Sequence, residues 1–129
     1  MTAERADRGT IAGIGQIAIT AHDVPRAVRF YRDVLGLALL FEMSKMAFFD
    51  AGGVRLMLSL PEEARFDHPA SIIYYRVNDL DAAHARLIAA GASFERSPHL
   101  VAKMPDHELW MAFCEDSEGN TLALMEERR

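Results

Sequence analysis

Cysteine is nearly absent from this chain: Cys114 stands alone among 129 residues. A lone cysteine cannot close an internal disulfide, which fits a reducing compartment, and Cys114 reads as a small core hydrophobe rather than a nucleophile. Positive charge is also in short supply. Fourteen Lys and Arg against 19 Asp and Glu leave a net charge of −5, and without clustered cations there is no surface for nucleic acid. No apolar stretch reaches the ~18 residues of a membrane span, and no apolar leader core precedes the first structured segment. Three catalytic signatures are missing as well: Gly-x-Ser-x-Gly, a phosphate-cradling glycine loop and Cys-x-x-Cys. These absences point to a cytoplasmic protein that engages neither nucleic acid nor membrane.

What is present is ordinary globular composition, half hydrophobic and about a quarter charged, in a length that suits one domain with a proper core. Residues 1–10 are polar and are expected to form a flexible tail. Residues 14–58 and 72–124 then repeat one pattern. Ile17-Ala18-Ile19-Thr20-Ala21-His22-Asp23-Val24 matches Ile73-Tyr74-Tyr75-Arg76-Val77-Asn78-Asp79-Leu80 at an offset of 56. Met46-Ala47-Phe48-Phe49-Asp50 recurs as Met111-Ala112-Phe113-Cys114-Glu115 at an offset of 65, and Leu56-Met57-Leu58 as Leu122-Ala123-Leu124 at 66. The offset grows slowly and in order, as loop insertions would make it grow. The chain therefore reads as module 11–61, a linker at Glu62–Ala70, and module 71–127.

Each module reads as strand, helix, then two or three strands. Gln16–Thr20 alternates, with Ile17 and Ile19 on one face. Asp23 suits a helix cap, Pro25 the first turn, and Val24, Ala27, Val28, Tyr31 and Leu35 form an apolar stripe that ends at Gly36. Asp79, a stripe of Leu80, Ala83, Leu87 and Ala90, and Gly91 repeat the arrangement. The remaining strands are predicted at Leu37–Met43, Lys45–Asp50 and Val54–Leu60, then at Ser93–Arg96, His107–Cys114 and Asn120–Met125. Ser97–Glu108 is expected to be a loop over the mouth of a site.

The helix Asp-Val-Pro-Arg-Ala-Val-Arg-Phe-Tyr-Arg-Asp-Val-Leu-Gly-Leu at 23–37 and the hairpin Glu-Asp-Ser-Glu-Gly-Asn-Thr-Leu-Ala-Leu at 115–124 resemble the vicinal oxygen chelate superfamily. That superfamily includes glyoxalase I, extradiol dioxygenases, methylmalonyl-CoA epimerase and bleomycin-resistance proteins. The resemblance covers about Gly13 to Glu127. It implies an α+β fold in which two tandem βαβββ modules form a cup-shaped, half-open eight-stranded β-barrel. In metal-dependent members it also implies one ligand on the first and last strand of each module. Those positions correspond here to Gln16, Met57, Ile72 and Ala123. Ile and Ala offer no lone pair, a thioether suits only soft ions, and one neutral amide does not make a site. The expectation is a scaffold without a metal.

Period-two alternation assigns the cup face. With Met57 go Arg55 and Ser59; with Ile72 go Tyr74 and Arg76; Ala18, Thr121 and Met125 complete the lining. Arg55 and Arg76 could hold a carboxylate or phosphate, or could instead lie at the rim paired with acids. The leading expectation is a small-molecule-binding homodimer with no cofactor, its ligand organic and anionic and its role one of sequestration. The alternative is a lyase, isomerase or dioxygenase with a divalent metal on unusual ligands or none, in which His107, Glu108 or Tyr74 moves the proton. His107 and Glu108 are adjacent in a strand and so point apart. His99 and His107 could join Gln16 in a displaced metal site. A third reading is an interaction domain with a vestigial pocket.

Overall fold

The computed structural model describes residues 9–129; most of the expected tail, residues 1–8, lies outside the described residues. The first module runs β1 (Gln16–Thr20), α1 (Val24–Arg29), β2 (Ala38–Glu42), β3 (Met46–Ala51) and β4 (Val54–Ser59). The second runs β5 (Ile73–Arg76), α2 (Leu80–Ala89), β6 (His99–Lys103), β7 (Glu108–Glu115) and β8 (Thr121–Arg128). A short 3₁₀ turn at Ala64–Phe66 lies between them. Each module makes one four-stranded sheet, in the orders β1-β4-β3-β2 and β5-β8-β7-β6. The first and last strands of a module pair in parallel, and the other neighbours are antiparallel. The sheets do not close on one another, and together they form the two walls of a half-open, cup-shaped barrel.

The helices form where caps and stripes place them. Asp23 accepts from the Arg26 N–H at 3.1 Å, and Asp79 accepts from the Ala82 N–H at 3.1 Å. Gly36 (φ +76°) and Gly91 (φ +110°) take the left-handed turn that ends each helical run, a conformation that a Cβ disfavours. The first run does not stay α-helical. It passes into one π-helical turn at Phe30–Val34, closed by the Leu35 N–H on the Phe30 carbonyl.

Apolar side chains at alternate strand positions bury one face of each sheet under its helix. Ile19, Ala47, Phe49, Leu56 and Leu58 join Val24, Ala27, Val28 and Tyr31 in the first core; Ala112 and Leu124 join Leu80 and Leu87 in the second. The modules are then locked by the turn before β8. The buried Asp116 carboxylate accepts from the Tyr31 hydroxyl (2.7 Å), from the Glu118 and Asn120 N–H groups, and from the Asn120 side chain. Asn120 also donates to the Thr20 carbonyl and accepts from the Ala70 N–H.

One element departs from the sequence reading. Ser93–Arg96 is not a strand; only Phe94 bridges to Cys114. The edge strand is β6, inside the stretch expected to be a covering loop. Pro98 cannot donate a ladder hydrogen bond, so regular pairing starts at His99. The connection from β6 to β7 is a tight hairpin, with the Met104 N–H on the His107 carbonyl at 2.8 Å.

Candidate functional site

The sheet faces turned away from the helices are the walls of the cup. On the first sheet the register sets Gln16 beside Arg55, Ala18 beside Met57, and Phe48 across from Met57. Their side chains converge. Arg55 Nε donates to Gln16 Oε1 at 3.1 Å, and the Gln16 amide points its other end at Met57 Sδ, 3.7 Å away. The Arg55 guanidinium lies over the Phe48 ring, 5.4 Å from its centroid, and Phe48 packs on Phe41 with centroids 4.8 Å apart. Asp50 is the cross-strand neighbour of Arg55, yet it accepts from the Gly53 N–H and makes no ion pair with the guanidinium. Arg55 therefore has neutral partners only among the described residues.

The second wall is more apolar. Tyr74 pairs with Ala123 across the ladder, and Arg76 with Met125. Phe113 lies opposite Ala123 and meets the Tyr74 ring edge-on at 5.9 Å. Ala123 is buried, whereas Ile72 sits just before β5 and is half exposed. Ser59 holds the end of the first wall beside Thr20. Phe48 and Phe113 were not among the residues expected to line the cup. The repeat carried the signal, since it aligns Met46-Ala47-Phe48 with Met111-Ala112-Phe113.

The proposed proton carriers do not all meet here. Tyr74 lies on the cup wall. Glu108 shares the helix-facing side of β7 with Trp110 and Ala112, and takes the Trp110 Nε1–H at 3.0 Å. His107 bonds Asp106 at 2.8 Å in the β6–β7 turn; this hydrogen bond and that from Arg129 hold Asp106 below the usual carboxylate range. His99 Nδ1 accepts from Arg96 Nε at 3.2 Å.

The four positions aligned with metal ligands do not fit a divalent metal. The oxygen of Gln16, the one hard donor in the set, already receives a guanidinium. Among the described residues no group of three or more His, Cys, Asp or Glu side chains could hold a metal ion. Cys114 is buried, and burial together with nearby Asp116 pushes its thiol up to about 11, which disfavours the reactive thiolate at neutral pH.

Two cavities flank the walls. The larger, about 1020 Å³, lies between the 91–96 segment, Phe30 and the β7–β8 end, where Phe113 and Thr121 reach it. The smaller, about 460 Å³, lies between the modules. Gln16, Arg55 and Met57 line neither of them and present an open face.

The family model for the Glyoxalase/Bleomycin resistance protein/Dioxygenase superfamily matches residues 13–124. The chain belongs to this superfamily. Among curated proteins, the metallothiol transferase FosB of Staphylococcus haemolyticus is 37% identical over 49 residues, which is 38% of this chain and 35% of that protein. FosB of Staphylococcus epidermidis matches to the same extent. The match thus spans about a third of the length of these relatives. Among solved structures, lactoylglutathione lyase from Agrobacterium tumefaciens superposes with a TM-score of 0.70 at 23% identity, covering 92% of this chain and 96% of that one. A glyoxalase/bleomycin resistance protein/dioxygenase superfamily member from Sphaerobacter thermophilus gives 0.75 at 22% identity, covering 92% and 100%. At these identities the solved structures show the superfamily's fold and leave the reaction open. No helix among the described residues is long and apolar enough to cross a membrane.

Proposed function

We propose that this chain binds a small organic anion in its cup, with Arg55 in place of a metal as the positive charge that recognises it. One observation carries the reading: a guanidinium held by Gln16 over the Phe48 ring, with no carboxylate among the described residues paired to it. A guanidinium oriented in this way can offer its remaining N–H groups in bidentate fashion to a carboxylate or phosphate. Phe48, Met57, Tyr74 and Phe113 supply the apolar contact surface that such pockets use around a few polar anchors, with Ala123 buried beneath the Tyr74 and Phe113 rings. Ser59, Ile72 and Arg76 stand at its margins. The proposed activity is sequestration, and the proposed working unit is a cytoplasmic homodimer, because Phe41 and Tyr74 leave about half their surface exposed on the cup walls.

The test has two parts. Metal analysis of protein purified without chelator or metal-affinity resin is expected to find no stoichiometric Mn, Fe, Ni or Zn. A thermal-shift panel of benzoate, cinnamate and phenylphosphonate is then expected to raise Tm by roughly 10 °C at ligand concentrations near 100 Kd, a gain of about 2.7 kcal/mol. Arg55→Ala should abolish that shift. An unchanged shift in Arg55→Ala removes Arg55 from the site.

The second reading is a metal-dependent enzyme. Its support is the partial likeness to a protein named as a metallothiol transferase. One equivalent of bound metal in the purified protein would select it over the first.

A further inference from the structure

The cavity between the modules does not include Gln16, Arg55 or Met57, and it meets the second cup wall at Tyr74 and Arg76. Ile17, Leu35 and Leu56 contribute to it from the first module, and Ile73, Leu87 and Leu124 from the second. Ile17, Leu56, Ile73 and Leu124 are helix-facing strand residues, and Leu35 and Leu87 belong to the helical runs that cover them, so the two cores open onto a shared cleft. Its volume of about 460 Å³ falls within the range of small-molecule pockets, roughly 300–1,000 Å³.

The charge along this cleft has one sign. Arg76 and Arg86 are the charged side chains that line it, and no Asp or Glu does. Neither guanidinium makes an ion pair or side-chain hydrogen bond among the described residues, whereas Arg26, Arg32, Arg65, Arg128 and Arg129 each have an acidic partner. Arg86 also reaches across the gap. It projects from α2 in the second module, and its Nη2 lies 3.6 Å from where a Cβ on Gly36 would stand, at the end of the first module's helical run. Tyr75 lines the same cleft, and its hydroxyl is buried without a hydrogen-bond partner. In a net-acidic protein, two exposed guanidinium groups at the rim of one hydrocarbon-lined cleft, with no acidic side chain lining it, give that rim a positive charge.

We infer that this cleft is a second ligand site, for an organic anion with a hydrocarbon body. The body lies between the two modules, and the carboxylate is held at the rim by Arg86 and Arg76. An occupant would touch both cores at once and so stabilise their present arrangement. This inference stands apart from the anion site proposed at Arg55, and either can fail alone.

Decanoate, used below its micelle concentration, is a suitable probe, with calorimetric titration as the readout. Saturable binding at one site per chain is expected for the unaltered protein, with at least tenfold weaker binding of neutral decanol. Arg86→Gln, at an exposed position, is expected to weaken decanoate at least tenfold with an unchanged circular dichroism spectrum. Ala83→Phe, which fills the cleft, should abolish binding, and Arg55→Gln should leave it intact. Absence of saturable decanoate binding would overturn the inference. So would equal affinity in Arg86→Gln, or a loss in Arg55→Gln that Arg86→Gln does not share.

Discussion

Glu118 receives four donors on one carboxylate: the N–H groups of His22 and Asp23, Nε of Arg26 at 2.7 Å, and the Ser117 hydroxyl. The Glu118 side chain is only 2% exposed, while its Arg26 partner is half exposed. Burial pushes its pKa upward, but Arg26, the Asp23 N–H and Ser117 together outweigh it and hold the group below the usual carboxylate range. A folded pKa below the unfolded value of about 4.3 contributes stability that is complete above that pH. The contribution is lost as pH falls through the lower folded value. Glu118→Gln keeps the shape and discards the charge, so it should cost about 1–3 kcal/mol at pH 7 by denaturant titration and flatten the acid limb of the stability profile. Asp33 and Asp106 shift in the same direction beside Arg32 and His107, but both are exposed, which leaves Glu118 as the informative variant. At this scale the sequence was partly legible. Gln16, Arg55 and Met57 could be placed on one wall because strand alternation is strict, and they do meet there. Phe48 and Phe113 were less legible because β3 and β7 carry no position matched to a ligand in the resemblance, although the repeat aligned them. The roles of Asp116, Glu118 and Asn120 were hidden for a different reason: their partners lie on the other module, and sequence spacing carries no record of that contact.

At the scale of elements, both helix starts were readable because a cap is a local device. The Asp79 carboxylate meets the Ala82 N–H three residues on, and the Leu80 N–H is taken by Glu126. Asp79→Ala should therefore remove one of two caps and lower stability by about 1 kcal/mol, measurable as a fall in Tm of a few degrees. The π-helical turn at Phe30–Val34 was not readable. It places Tyr31 in the core with its hydroxyl on Asp116, where burial and that carboxylate drive the tyrosine pKa far above its ordinary value. Such a turn answers to a tertiary contact, which the apolar stripe does not encode. The misplaced edge strand has a similar origin. Leu100-Val101-Ala102 is a fair strand sequence, but its pairing with β7 is broken by a register shift between Leu100 and Ala102. The same shift occurs between Leu39 and Phe41 on β2, so the duplication extends to the irregularity of its edge strands. Extra twist at such a shift bends an edge and discourages further strand addition there.

At the scale of the whole molecule, the order of elements and the two-module plan followed from the repeat, while the mutual attachment of the modules did not. That attachment is concentrated on the turn 116–120, which holds Thr20, Ala70, His22, Asp23, Arg26 and Tyr31. The stretch from Glu62 to Pro69, by contrast, is largely exposed, tied to the first module by the Thr20 hydroxyl on the His68 carbonyl at 2.9 Å and by the His22 ring on Asp67 at 2.8 Å. The covalent link is therefore not the sole attachment between the modules, since Ile73 and Tyr75 also pack against the first core and Val34 and Leu35 against the second. A protease that nicks the backbone after Glu62 should leave a particle of unchanged elution volume, which comes apart into two pieces only in denaturant. The halves would then behave as a heterodimer made from one gene, with the 116–120 turn as its clasp.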